Sequence, residues 1–249
     1  MTASCWGVVV AAGRGERFGS DRPKALLELA GTALVVHAVR ALREGGCSGI
    51  VVAAAADVVS VVAGLLRGSE VSDAVPLTQS DDDVAGLPSA HGVLVVLGGA
   101  TRQASVRAAL AVVPDDARWV LIHDAARPLV PASVVVSVRA ALAAGAPAVI
   151  PVLPVVDTIK SVDAAGAVTA TVDRSGLRLA QTPQGFERAL LVRALGDSTR
   201  RGEEVTDDAA AVAALGIPVL TVPGDERGLK ITTPIDLIIV EAFLAHSRR

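Results

Sequence analysis

Cysteine is scarce: Cys5 and Cys47 are the only two in 249 residues. Two thiols make no disulfide scaffold, and they form no CxxC pair, so they read as small core or surface thiols of a reducing cytoplasm. Charge of one sign is also lacking. Lys and Arg number 23 against 26 Asp and Glu, a net charge of −3. No global basicity points to nucleic acid and no acidic tail points to disorder, so any anion site must be local, made from a few placed cations. The chain opens without a basic stretch followed by a long apolar one, and no signal peptide is expected. A long uncharged run, 140–156, is broken by Pro147, Pro151 and Pro154, which makes it a poor membrane helix; no membrane partner is expected.

What the chain has is apolar sequence in short blocks. Hydrophobic residues make up 51%, enough for a sizeable core at this length. The blocks 7–11, 50–54, 93–97, 119–123, 148–152 and 219–222 are runs of Val, Ile, Leu and Ala without polar alternation, as expected of strands covered on both faces. Between and after them, 33–43, 58–67, 105–113, 133–144, 209–215 and 234–245 carry apolar residues at a helical period. Pro234 suits a first helical position, with Thr233 as its cap. Alternating strand and helix predicts an α/β fold with a mostly parallel sheet, and such folds bind ligands at the carboxyl ends of their strands. No repeat and no linker marks a second domain.

Two segments break the alternation. Residues 155–183 have no helical period, carry turn signals at 163–166 and 175–176, and are polar on both sides. They predict a β-hairpin arm with too few apolar residues for a core of its own, which packs on a partner chain. Residues 78–92 predict an exposed loop, in which Asp81, Asp82 and Asp83 are solvated rather than metal-bound.

The first strand empties into "AAGRGERFGSDRPKALLEL" (11–29), a loop of glycines and cations. Gly13 and Gly15 begin a GxGxxG fingerprint, but Phe18 stands where its third glycine belongs. Lys24 lacks the flanking residues of a Walker loop. What remains is a backbone flexible enough to turn its N–H groups onto phosphate oxygens, with Arg17 and Lys24 adding full charges. That is a cradle for a triphosphate.

The same loop resembles the AAGxGxRx…PKxxxxL signature of nucleotidyltransferases. Further stretches narrow the resemblance: "GGATRQASVRAAL" (98–110), "VLIHDAARPLV" (120–130), "DTIK" (157–160), "TVDRSGL" (171–177), "AQTPQGF" (180–186), "EVTDDAAAV" (204–212) and "GLKITTPIDL" (228–237). In this order they resemble the 2-C-methyl-D-erythritol 4-phosphate cytidylyltransferase family. The resemblance implies a single Rossmann-like nucleotidyltransferase domain over 1–249, with 155–183 as a dimerisation arm. It implies a cytoplasmic enzyme that joins CTP to methylerythritol phosphate with Mg²⁺ or another divalent cation, releases pyrophosphate, and works as a homodimer.

By the same resemblance, Arg17, Lys24 and Lys230 are catalytic cations on the phosphates. Ala11, Ala12, Gly13, Gly15, Gly99, Ser105 and Ala125 bind CTP. Asp124 stands near the metal and the acceptor, with Arg127, Thr158, Arg174, Thr182 and Lys230 on the acceptor side, and Thr158 and Arg174 reach the other subunit's site. Many relatives carry an acidic residue where this chain has Ala100, so the base amino group needs another partner here. His123 should point away from Asp124 into packed structure, and Asp157, Asp173 and Asp207 are expected to be structural. A cytidylyltransferase for another polyol phosphate, such as ribitol 5-phosphate, would share these elements. A sugar 1-phosphate nucleotidylyltransferase would not carry the HDAARP and TVDR stretches. A regulator that had lost catalysis would be expected to lack Arg17, Lys24 or Asp124. No tail for a fused second enzyme is expected after residue 249.

Overall fold

The computed structural model describes residues 4–13, 18, 23–69, 74–76 and 92–247. Gly15, Arg17 and the expected loop at 78–92, apart from Gly92, lie outside the described residues.

The chain begins with β1 (Cys5–Ala11), a short 3-10 turn (Lys24–Leu26) and the small hairpin β2 (Glu28–Leu29) and β3 (Thr32–Ala33). It continues through α1 (Leu34–Glu44), β4 (Gly49–Ala54), α2 (Val59–Arg67), β5 (Ala74–Pro76), β6 (Val93–Leu97), α3 (Arg102–Leu110), β7 (Trp119–Asp124), α4 (Ala132–Ala143) and β8 (Ala148–Pro154). The arm region holds β9 (Ile159–Val162), β10 (Val168–Val172) and β11 (Arg178–Ala180). Then follow β12 (Gln184–Glu187), α5 (Arg188–Arg200), α6 (Asp208–Ala213), β13 (Leu220–Pro223), a 3-10 turn (Glu226–Gly228) and α7 (Pro234–Ser247).

Among the described residues nine strands form one sheet, in the order β11-β8-β12-β7-β1-β4-β6-β5, with β13 also paired to β8. β1, β4, β5, β6 and β7 run parallel, as does β13 on β8. β12 lies antiparallel between β7 and β8, and β11 antiparallel to β8. This is the expected mostly parallel α/β architecture.

Strand alternation sorts the side chains into two cores. From β1, Val9 and Ala11 pack with α1, α2 and α4 on one face. Trp6 and Val8 pack with α3, α5 and α6 on the other. Helices therefore cover both faces, which is why these strands read as continuous apolar runs. A smaller cluster of Leu29, Leu34, Ile231 and Val240 seats the C-terminal helix beside the β2–β3 hairpin.

The structure departs from the sequence expectation in several places, the short strands β2, β3 and β5 among them. Helix α5 and strand β12 had no expected counterpart, although Leu191, Ala194, Leu195 and Ser198 bury one helical face of α5. Helix α3 starts at Arg102 rather than at 105, because Thr101 caps it by accepting the Ala104 N–H at 3.1 Å. The polar first turn hides that start from a hydrophobic period.

The arm is present. β9 and β10 pair only with each other and are largely exposed. Their turn is closed by Asp163, whose carboxylate accepts the N–H groups of Ala165 and Ala167, and by Gly166 at φ +83°. Asp173 closes the second turn by accepting from Ser175.

Candidate active site

Four parallel strands end together. In register, Val10 faces Asp124, Ala11 faces Ala54 and Ala54 faces Leu97. Their carboxyl edge opens into a cavity of about 780 Å³, the usual ligand position in an open α/β sheet.

One wall is backbone and small side chains: Ala11, Ala12 and Gly13 after β1, and Gly98, Gly99 and Ala100 after β6. A Cβ on Gly99 would stand 2.3 Å from the Ala104 Cβ, so only glycine lets the loop lie against the start of α3. Ser105 ties that loop down. Its Oγ accepts the Gly99 N–H at 3.1 Å and donates to the carbonyls of Thr101 and Gly99. Ala125 closes the floor.

Charged side chains complete the lining. Lys24, Arg102, Asp124 and Lys230 all line the cavity. Asp124 is buried and carries a cation on each oxygen: Arg102 Nε at 3.2 Å from Oδ1 and Lys230 Nζ at 2.7 Å from Oδ2. Arg102 also donates from Nη1 to Asp208 Oδ2 at 2.7 Å. Lys24 Nζ donates to the Ile231 carbonyl at 3.0 Å, so the first loop's lysine rests on the segment that carries Lys230.

These contacts set the protonation states. Burial alone would raise the Asp124 pKa, but Arg102 and Lys230, with Arg127 behind them, hold it well below the ordinary carboxylate range. Asp208 is more deeply buried. Desolvation pushes it up against the opposing pull of Arg102. Desolvation works against the Arg102 charge, but Asp208 and Asp124 outweigh it and hold its pKa above the ordinary value.

Arg102 and Asp208 had no role in the sequence expectation. Their signal was in view: Arg102 is the arginine of the GGATRQASV stretch, and Asp208 follows Asp207 in EVTDD. Asp207 caps α6 by accepting the Ala210 N–H and takes a hydrogen bond from Gln184, a structural role.

Other expected acceptor residues lie around the cavity rather than in its lining. Arg127 donates to the carbonyls of Gly228 at 2.7 Å and Ala180 at 3.2 Å. Thr182 Oγ1 accepts the Asp124 N–H at 3.1 Å and bonds His123 Nδ1 at 2.8 Å. Thr158 and Arg174 are exposed on the arm, where Arg174 donates to the Val156 carbonyl.

A divalent cation can be tested against this donor set. Among the described residues no cluster of three His, Cys, Asp or Glu could hold one on protein ligands alone. Among the described residues the one carboxylate that lines the cavity, Asp124, already sits between two cations. The set fits a hard cation that arrives on phosphate oxygens and takes one carboxylate, not a protein cage.

His123 is fully buried, and desolvation lowers its pKa to about 4. The folded protein therefore keeps the imidazole neutral where the unfolded chain, near 6.5, takes up a proton. The unfolded state binds more protons in this window, so stability falls as pH drops from 6.5 to about 4. The expected loss from this group is about 3 kcal/mol. Denaturant unfolding of the metal-free protein across that range should show it, and His123→Gln should flatten the curve. Equal slopes in both proteins would place the acid loss elsewhere.

With this geometry in place, the comparisons with known proteins are specific. Residues 5–246 match the family model described as 2-C-methyl-D-erythritol 4-phosphate cytidylyltransferase. A relative of that name from Streptomyces coelicolor is 46% identical over 247 residues, covering 97% of this chain and 85% of the relative. Another, from Saccharopolyspora erythraea, is 50% identical over 243 residues, covering 96% of this chain and 98% of the relative. The crystal structure of the Thermus thermophilus protein of that name superposes with a TM-score of 0.72 at 35% identity, covering 98% of this chain and all of the other.

Proposed function

The chain belongs to the 2-C-methyl-D-erythritol 4-phosphate cytidylyltransferase family, and from that premise we propose how its residues divide the work of the reaction. The protein transfers a cytidylyl group from CTP to 2-C-methyl-D-erythritol 4-phosphate, in the non-mevalonate route to isoprenoid precursors. A phosphate oxygen of the acceptor forms a bond to the α-phosphorus of CTP. The bond from that phosphorus to the bridging β-oxygen breaks, and pyrophosphate leaves with the electron pair. No protein nucleophile is needed. The protein's share is to align two anions and stabilise the charge that builds between them.

The observation that carries this division is the convergence of Lys24, Arg102 and Lys230 on one cavity that is also lined by glycine and alanine from the loops after β1 and β6. We assign the glycine and alanine lining, with Ser105, to the nucleoside and the cations Lys24, Arg102 and Lys230 to the phosphates; Arg17 is assigned to the phosphates by the family resemblance alone. Arriving phosphates compete with Asp124 for Arg102 and Lys230, and Asp124 is the residue that would hold a divalent cation bound with CTP. That cation would neutralise charge on the phosphate oxygens.

We further propose a cytoplasmic homodimer built through the arm, within a single domain over 1–249. Both thiols are free and buried, in keeping with a reducing compartment. Val156, Val162, Val168 and Leu179 are more than half exposed along the arm and its base, an apolar strip that a second copy would cover. Thr158 and Arg174 would then reach the partner's acceptor site.

Pyrophosphate release with CTP and Mg²⁺ tests both proposals. The wild type should prefer methylerythritol phosphate strongly over ribitol 5-phosphate. Arg174→Ala should raise the acceptor KM about tenfold or more, the scale of one lost charge-assisted contact, and leave the CTP KM in place. An unchanged acceptor KM, or a fully active monomer at micromolar concentration, would sink the arm assignment.

A further inference from the structure

Lys230 owes its place to a short segment, 224–231, that carries no regular strand and only one 3-10 turn. Such a segment needs side-chain partners if its lysine is to be held still. One buried amide supplies them. Gln181, directly after β11, is 5% exposed and does not line the cavity. Its Oε1 accepts the Asp225 N–H at 3.1 Å, and its Nε2 donates to the Asp225 carbonyl at 2.9 Å. Both backbone groups of one residue are thus taken by one side chain, as a neighbouring strand would take them.

The fit around that amide is close. A Cβ on Gly224 would stand 2.2 Å from Gln181 Oε1, and one on Gly228 would stand 3.0 Å from Nε2. Two glycines therefore admit the glutamine from either side of Asp225. Gln181 is itself fixed, because its N–H donates to the Pro151 carbonyl on β8 at 2.8 Å.

Downstream of the clamp the same segment meets the site three times. The Gly228 carbonyl accepts from Arg127, Lys230 pairs with Asp124, and the Ile231 carbonyl receives Lys24. The Ile231 N–H closes the segment on the Ala126 carbonyl at 2.8 Å.

We propose that Gln181 is a positioning residue for the reaction: it transmits the rigidity of the sheet to Lys230 by clamping the backbone of Asp225. It rests on the reading of Lys230 as a cation acting on the reacting phosphates. With the Gly224 N–H on the Val152 carbonyl at 2.9 Å, Gln181 fixes the start of the segment, and the contacts at Gly228, Lys230 and Ile231 tie its far end to the site. Losing the clamp strips the Asp225 N–H of its partner, leaves the Asp225 carbonyl with only the Gly228 N–H at 2.9 Å, and loosens the ammonium aimed at developing charge. Since a preorganised charge acts on the transition state, the loss falls on kcat more than on either KM.

A double-mutant cycle tests this. Gln181→Met keeps most of the side-chain volume without its hydrogen bonds. In the wild-type background it should lower kcat by about tenfold to 10²-fold, the cost of a misplaced catalytic group. In a Lys230→Ala background it should cost less than about twofold further, because the group it positions is gone. Its effect on Tm should be the same in both backgrounds. An equal kcat loss in both backgrounds, or none in the wild type, overturns the clamp. If Lys230→Ala is itself without effect, the role of Lys230 fails first, and the single-mutant arm shows that separately. Should Gln181→Met not fold, Gly228→Ala presses on the same amide from the other side and enters the same cycle with the same expected outcomes.

Discussion

Lys24→Ala lowers kcat by about 10²-fold or more, the cost of removing one donor aimed at charge that develops in the transition state. The fold should tolerate the change. Lys24 opens a 3-10 turn whose backbone is pinned independently of its side chain: Leu26 N–H donates to the Pro23 carbonyl and Leu27 N–H to that of Lys24. Leu34 N–H then donates to the Leu27 carbonyl, and buried Ala25 fixes the turn to the core. The ammonium meanwhile lies in the cavity wall, resting on the Ile231 carbonyl. That bond holds it ready and is weaker than a bond to phosphate, because both of its partners would be charged there. Exchange from carbonyl to phosphate strengthens as negative charge builds, so the loss should appear in kcat with Tm nearly unchanged. Lys24→Arg should restore little, since a planar fork does not reproduce a compact point charge at this position. A kcat within threefold of the wild type in the alanine variant would remove Lys24 from the reaction.

Much of this was legible before any fold was known. The parallel strands announce themselves because they are buried on both faces, so that 50–54 and 93–97 need no alternation to be recognised. The arm announces itself by the reverse property, polarity on both faces with turn residues at 163–166. The cradle after β1 could be placed because a first strand in an α/β fold ends at the ligand edge.

Helix α5 was readable and missed: Leu191, Ala194, Leu195 and Ser198 recur at helical spacing between Arg188 and Arg200. The polar contacts of the site were hidden for a physical reason. Arg102 stood in the GGATRQASV stretch, ahead of the helix expected over 105–113, with no partner in view. Only the pairing of β1 with β7 and the packing of α3 beneath them bring it between Asp124 and Asp208, which are 22 and 106 residues away in sequence. The Gln181 clamp spans 44 residues and consists of side chain to backbone bonds, which leave no periodic trace. Sequence period reports burial; it is silent on which buried polar groups meet.

Asp124→Asn is expected to damage both stability and activity, and the two losses can be separated. The carboxylate stands between two cations, with Arg127 nearby, so neutralising it leaves like charges facing one another around an amide that offers only one acceptor oxygen. Breaking a buried ion pair costs about 3–5 kcal/mol. The low end, about 3 kcal/mol, applies here because the Lys230 side chain is 40% exposed and its share is screened. Burial opposes the Asp124 charge, but Arg102 and Lys230 overcome it and depress its folded pKa. Its stabilising contribution is therefore complete above the unfolded carboxyl value of about 4 and is lost only as pH falls through the lower folded value. The stability difference between wild type and Asp124→Asn should consequently stay flat from about pH 5 to 8, outside the window in which Asp124 titrates. Activity should fall by about 10²-fold or more even where the variant is fully folded, because Arg102 and Lys230 lose the anion that aligns them and the divalent cation loses its proposed protein ligand. Unfolding curves at several pH values, beside kcat on protein verified as folded, distinguish the outcomes. A stable variant with kcat near the wild type would mean that Asp124 neither aligns the cations nor meets the metal. A destabilised variant with normal kcat would leave it a structural counter-ion alone.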